Sequence, residues 1–238
     1  MQLFLIKLIL DFFDYFDQKK IYDFLFKKLG KKINFVIDVG SHRGETIKNL
    51  NSKFIIDKIF CFEPSKRNFD YLKKKKDIYK NLIIFNLGCG NIVEKKKLNY
   101  SIESSSSTIN NINTDSRYYK KKKFFLLGFN EKKMFIDEEI NMTRLDEVIK
   151  AGNKNKIDLL KIDTEGYELN VLKGSTGIIE NINLIYFEHH FDDMILKEYS
   201  LSDIHNFLTK NNFKKIFKIK MKFRKSFEYI YQNIYFEK

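Results

Sequence analysis

Among 238 residues there are two cysteines, one proline and no tryptophan. Cys61 and Cys89 each sit inside an apolar, strand-like run, which excludes both a disulfide framework and a zinc-ligand spacing. A reducing cytoplasm is the compartment this implies. Long hydrophobic runs are also missing. The opening MQLFLIKLIL is broken by Asp11, well short of the roughly 20 residues a spanning helix needs. It lacks the basic lead and small-residue cleavage site of a signal peptide. There is no internal repeat.

What is abundant is lysine, isoleucine, asparagine and phenylalanine. Hydrophobic residues make up 43% of the chain, enough for a buried core, and the length suits one domain. Lys and Arg number 44 against 31 Asp and Glu, a net charge of +13. Such a surface attracts nucleic acid, anionic lipid or phosphorylated substrates. The lysine runs 73–76, 95–97 and 120–123 lie in separate segments without an aromatic stacking register, so the charge reads as compositional bias. A nucleic-acid partner is disfavoured. Leu3, Ile6, Leu10, Phe13 and Phe16 recur at helical spacing, so residues 3–29 read as one or two amphipathic helices. These pack on the domain or contact a membrane surface peripherally.

From there the pattern alternates. FVIDVG (35–40), KIFCFEP (58–64) and NLIIFNLGCG (81–90) read as strands. Helices are expected over 44–54 and from Phe69 through the lysine run. Short β-α-β-α-β connections imply a parallel sheet with right-handed crossovers. Residues 91–140 read as a hairpin and a long loop over the active-site rim. Thr143 is a candidate helix cap. Then follow a fourth strand (157–163), a helix from Glu168 to Gly174, a fifth strand (183–190), a helix (201–210) and a closing antiparallel pair, 213–220 with 227–236. The expected division is a helical extension over 1–32 and one domain over 33–238.

In an open α/β sheet, ligands bind beyond the carboxyl ends of the strands. Asp38-Val39-Gly40-Ser41-His42-Arg43-Gly44 ends the first strand. Its G-x-x-x-G spacing is neither the dinucleotide fingerprint nor a Walker A loop, so NAD and ATP should bind poorly. Gly40 and Gly44 allow a tight turn and close approach of a ligand. Asp38 suits a cationic amine. Glu63, before Pro64, ends the second strand and suits a ribose diol. The third strand ends at Asn86-Leu87-Gly88, where a base is flanked. Ser41 and His42 complete the candidate cofactor set.

FVIDVGSHRGET, FCFEPS, IDLLKIDTEGYELNVLKG and LIYFEHH together resemble the FkbM-type methyltransferases. The resemblance spans about residues 35–190, and its most specific block is K-I-D-x-E-G-x-E. His42 and Arg43 stand where members often carry other residues. The resemblance implies a doubly wound α/β fold: a mostly parallel, seven-stranded, Rossmann-like class I methyltransferase sheet with an antiparallel C-terminal pair. It implies S-adenosylmethionine as cofactor and a hydroxyl of a sugar, glycan or related small molecule as acceptor.

Strand alternation puts Lys161, Asp163 and Glu165 on one side, beside the reacting end. Asp163 and Glu165 are the candidates for cofactor anchoring and general-base work, and Asp163, Glu165 and Glu188 for a divalent cation. Glu168 is equally well a helix-capping residue. His189, at the end of the fifth strand, is a further candidate base. The serine run 104–107 is either a substrate contact or a flexible loop. Two other functions compete. Nucleic-acid methylation lacks the [ND]-P-P-[FY] tetrad, since Asp163-Thr164-Glu165-Gly166 stands there, and neither cysteine is placed as a cytosine nucleophile. A non-catalytic cofactor-binding domain would not need Asp38, Gly40, Glu63, Asp163 and Glu165 intact.

Overall fold

The computed structural model describes residues 2–128, 133–149, 156–222 and 224–237, with the side chains of the first helix from residue 13 onward. That helix, α1 (Gln2–Leu29), is continuous and ends where Gly30 adopts a positive φ of 75°. The core of the chain then alternates β1 (Lys32–Val39), α2 (Glu45–Lys53), β2 (Ile55–Phe62), α3 (Lys66–Lys73) and β3 (Leu82–Phe85). A second group follows: β4 (Gly88–Cys89), β5 (Lys95–Ser101), α4 (Arg117–Leu127), β6 (Phe135–Thr143) and the short α5 (Leu145–Val148). The chain returns to the main sheet with β7 (Ile157–Ile162), α6 (Glu168–Lys173), β8 (Ile182–His190), α7 (Leu201–Lys210), β9 (Phe213–Lys220) and β10 (Ser226–Asn233).

The main sheet has seven strands in the order β3-β2-β1-β7-β8-β10-β9. β1 pairs in parallel with both β2 and β7, and β8 continues the parallel set. β10 is antiparallel to β8 and β9. The order reverses at β1, so the carboxyl ends of β1 and β7 flank the crevice where such sheets receive ligands. Both faces are covered. One carries Ile37, Val39, Leu160, Ile162 and Ile185 against Leu172 of α6 and Leu208 of α7. The other carries Val36, Ile59, Leu159 and Leu184 against α1, α2 and α3. Burial on both faces explains why β7 is buried at every position and reads as an almost continuous apolar run.

Several expectations needed correction. The third predicted strand is two: β3 closes the edge of the main sheet, while β4 pairs with β6 in a separate three-stranded sheet. Within 91–140, where a hairpin and a long loop are expected, β5 does pair antiparallel with β6, but the connection between them contains the helix α4. Basic residues obscured α4, which Ser116 caps by accepting from the Tyr119 amide at 3.0 Å. Lys95 and Lys97 of β5 pair with Glu139 and Asp137 of β6, so part of that lysine run meets acids across the ladder. Thr143 caps no helix. It ends β6, and Arg144 occupies the cap position of α5. In α1, the face turned to the sheet is Ile21, Tyr22 and Leu25, whereas Phe16 is 41% exposed. Leu3, Ile6 and Leu10 lie outside the described side chains. Among the described residues no helix is long and apolar enough to cross a membrane.

Candidate active site

A cavity of about 500 Å³ opens at the carboxyl ends of β1, β2, β7 and β8. Its floor begins with the loop after β1. Gly40 holds φ at +80°, and a Cβ there would stand 1.8 Å from the Asp163 carbonyl oxygen. The constraint on Gly40 is therefore the close approach of the β1 and β7 ends, not of a ligand. Gly44 caps α2 at φ +88°, where a Cβ would press on Leu72 at 3.1 Å, and it stays outside the cavity wall. Between them His42 is held at φ 47°, a strained value for a residue with a side chain. Its Nε2 lies 2.6 Å from Ser104 Oγ, which ties this loop to the serine run. Ser104 to Ser107 all line the cavity, so the run forms its roof.

Glu63 is 5% exposed beneath that roof and lines the cavity. The amides of His42 and Ser65 donate to its two carboxylate oxygens at 2.8 and 3.0 Å. Burial outweighs those bonds and pushes its pKa up to about 7. Each oxygen keeps acceptor capacity for a further donor. Pro64 and Leu87 also line the wall. Asn86 instead braces the frame, donating from Nδ2 to the Glu63 and Pro64 carbonyls at 3.0 and 2.8 Å. Ser41 lines the cavity and donates to the Asp38 carbonyl at 2.8 Å.

Asp38 is fully buried, and neither carboxylate oxygen has a hydrogen bond. It is not a cavity wall residue. Its nearest charged partner is Lys161 Nζ at 3.8 Å, and Lys161 lies closer to Asp163, at 3.0 Å. For Lys161, burial would lower the pKa, but Asp163 and Asp38 together raise it. Asp163 is lowered, since Lys161 overcomes the cost of its burial, while Asp38 is raised because burial wins there. Asp163 is therefore the dominant partner of the buried ammonium.

Glu165 follows the end of β7 at φ 51°, so strand alternation does not govern it. Thr108 Oγ1 donates to its carbonyl at 2.7 Å and Asn110 Nδ2 to that of Gly166 at 2.5 Å, holding the bend. Lys161, Asp163 and Glu165 nonetheless line the same cavity. Burial, opposed by His190, brings the Glu165 pKa up to about 7. Glu168 is 1% exposed and serves the loop: its Oε1 accepts from the Gly166 amide at 2.9 Å and Thr164 Oγ1 at 3.0 Å.

Of the two histidines ending β8, the cavity receives His190, not the predicted His189. His189 packs against Phe191 and Tyr199. Burial, with Lys197 and His190, depresses its pKa to about 4. His190 Nε2 stands 3.3 Å from Glu165 and 3.6 Å from Glu188, and its Nδ1 3.6 Å from Asp192. Burial opposes the imidazolium, but these three carboxylates hold the pKa well above the ordinary histidine value. Alternation along β8 carried the signal that separates the two rings. Tyr118, Lys122, Glu103 and Arg224 also line the cavity, and sequence reasoning missed them because they come from α4 and from turns. Among the described residues no group of three or more His, Cys, Asp or Glu could hold a metal ion. The expected divalent cation thus has no support. Asp163 is matched by Lys161, and Glu165 and Glu188 by His190.

A doubly wound sheet with this strand order and a cavity at its switch point define the class I methyltransferase architecture. Solved structures agree at the level of the fold. The FkbM methyltransferase of Methylobacillus flagellatus aligns with a TM-score of 0.52 at 15% identity, over 84% of this chain and 44% of that one. The magnesium protoporphyrin IX methyltransferase of Synechocystis, solved with bound S-adenosylmethionine, aligns at 0.50 and 8% identity over 90% and 77% of the two chains. Residues 38–215 match the methyltransferase FkbM domain, and the chain belongs to that family. The hexuronic acid methyltransferase AglP of Haloferax volcanii is 27% identical over 153 residues, 64% of this chain. The chain spans about half the length of that relative, 54% of it.

Proposed function

We propose that this chain transfers a methyl group from S-adenosylmethionine to a hydroxyl of a sugar or glycan intermediate. One observation carries the reading: Glu63, Asp163 and Glu165 share a single cavity at the carboxyl ends of the strands. The donor set fits the cofactor. Glu63 is buried, anchored by two amides, and retains acceptor capacity for a ribose diol. Leu87, Gly88 and Cys89 offer a largely apolar flank for a base. Asp163 and Glu165 suit the cationic end. When bound, the cofactor supplies an electrophilic methyl group on a sulfonium.

The chain's own residues do the rest. Glu165, with a pKa of about 7, is poised to accept a proton from an acceptor hydroxyl near neutral pH. His190 lies 3.3 Å away and stabilises the ionised form of Glu165 before transfer. The serine roof and Tyr118 exclude water from the cavity. Lys161 sets a buried positive charge against Asp163 and Asp38 in the wall of the site. Residues 33–238 form the catalytic domain and 1–32 a helical extension to it, acting in the cytoplasm. The sugar class is supported by family membership and by the named substrate of the Haloferax relative.

Calorimetry with S-adenosylmethionine tests cofactor binding, and mass spectrometry of a glycoside panel tests transfer. Micromolar binding with a gain of one methyl mass on a glycoside is expected. Absence of binding would remove the reading, and binding without transfer to any hydroxylated acceptor would leave a cofactor-binding module.

A further inference from the structure

A second cavity, about 290 Å³, adjoins the first. The two share the walls Glu45, Thr46, Lys161, Asp163, Glu188 and Arg224. What is new in the second is its roof: Asp14, Gln18 and Tyr22 come from α1, the element outside the expected catalytic domain. Its floor is the α1-facing side of the sheet, with Tyr186 of β8 and Glu228 of β10. The volume is at the lower end of small-ligand sites, about 300 Å³. The lining is polar, where packing of a helix on a sheet would ordinarily leave an apolar seam.

We propose that this chamber beneath α1 is the acceptor's binding site and that it takes a polyhydroxylated ring without an anionic group. The proposal rests on the methyl-transfer reading above. Its geometry is the shared wall: a ring in the chamber abuts Asp163 and Lys161, and the hydroxyl to be methylated reaches past them to Glu165, which lines the first cavity alone. Its chemistry is the donor and acceptor count. Five carboxyl groups (Asp14, Glu45, Asp163, Glu188 and Glu228) face two cations, and burial together with Glu188 and Asp163 raises the Glu228 pKa well above the ordinary carboxylate value, so four of the five oppose those cations as carboxylates. Both cations are already engaged, Lys161 with Asp163 at 3.0 Å and Arg224 with Asp14. An anionic ring would therefore meet acids without a spare cation, at a cost in like-charge repulsion.

Hydroxyls meet the opposite condition, because ionised carboxylates only accept hydrogen bonds. Glu188 has the clearest vacancy. It is 8% exposed, and its Oε1 makes no hydrogen bond, although His190 Nε2 lies 3.6 Å from it. Glu228 stands directly opposite Glu188 across the β8–β10 ladder, and Gln18 Nε2 reaches Glu228 Oε1 at 3.4 Å. Burial and the facing Glu188 favour the neutral form of Glu228, and a ring hydroxyl placed between the two can donate to Glu188. The acidity is local: the whole chain carries +13. A uronic acid, the acceptor class named for the Haloferax relative, does not suit this chamber.

Saturation-transfer NMR, with excess S-adenosylhomocysteine present, can rank methyl glucoside, methyl mannoside and methyl galactoside against methyl glucuronoside. At least one neutral glycoside should bind tenfold or more tightly than the glucuronoside. Gln18→Trp fills the chamber and should abolish glycoside binding, while S-adenosylhomocysteine affinity by calorimetry stays within twofold. Gln18→Glu, which keeps the volume and adds a charge, should weaken it about tenfold and serves if the tryptophan variant does not fold. Equal or tighter binding of the glucuronoside, no binding of any neutral glycoside, or unchanged binding in a folded Gln18 variant overturns the assignment. The two readings separate cleanly. Wild-type protein that fails to bind S-adenosylhomocysteine defeats the methyl-transfer reading, whereas cofactor binding without neutral-glycoside binding defeats the chamber alone.

Discussion

Replacing Glu63 with glutamine should change how both stability and cofactor affinity depend on pH. Burial lifts this carboxyl from its ordinary 4.5 to about 7, which corresponds to ~3 kcal/mol favouring the neutral form. Because the folded value is raised, the contribution to stability is complete below pH 4.5 and is lost as pH rises through about 7. The lost stability amounts to roughly 6–12 °C in Tm, at about 2–4 °C per kcal/mol for a chain of this size. Glutamine cannot ionise. It also offers one acceptor where the His42 and Ser65 amides need two, a cost of about 1–3 kcal/mol that does not vary with pH. That constant cancels when the Tm difference between wild type and Glu63→Gln is followed from pH 5 to pH 8. The variant should gain on the wild type across that interval. Glu165 shifts in the same direction, so only this paired comparison isolates Glu63. Ribose hydroxyls donating to the carboxylate favour its ionised form, so S-adenosylmethionine affinity should rise about tenfold per pH unit up to about 7 and then level off. Titration calorimetry at four pH values reads that slope. A Tm gap that stays constant, or a slope that survives in the glutamine variant, would refute the reasoning.

Four further outcomes follow from the site. Glu165→Gln should lower kcat by about 100-fold with Tm held or raised, as for loss of a general base; full activity with earlier melting would make Glu165 a structural partner of His190. Lys161→Met should destabilise the fold by about 3–5 kcal/mol in chemical denaturation, because Asp38 and Asp163 lose their buried counter-ion; a change under 1 kcal/mol would contradict the pairing. Gly40→Ala should not yield a native melting transition, since its Cβ would lie 1.8 Å from the Asp163 carbonyl oxygen, and a normal Tm would show that the β1 and β7 ends can separate. His190→Gln should shift the acid limb of the kcat profile, while His189→Gln should leave that profile unchanged, the opposite pattern restoring His189 as the reacting histidine.

The sequence by itself determined the succession of strands and helices in the main sheet and the loops at its open end. β1, β7 and β8 are buried along most of their length and β2 toward its carboxyl end, so each carries a compact apolar run, and each ends in the residues that form the cavity: the Gly40 loop, Glu63, Asp163 and His190. Local chemistry sufficed there because glycine and acid positions at strand ends follow directly from chain direction. It failed where partners come from afar. The basic α4 and the serine run look solvated in isolation, yet Lys122 of α4 meets Glu103 at 2.6 Å and Ser104 meets His42. The choice between His189 and His190 depends on which face of β8 turns to the cavity, a register fixed by pairing with β7 and β10. Glu165 escaped the alternation rule because a left-handed bend, held by Thr108 and Asn110, re-aims it. The tertiary structure alone decided that α1 roofs a second, acid-lined chamber. The Asp14–Arg224 ion pair and the Gln18–Glu228 hydrogen bond each link positions 210 residues apart, and no local pattern encodes a contact at that separation.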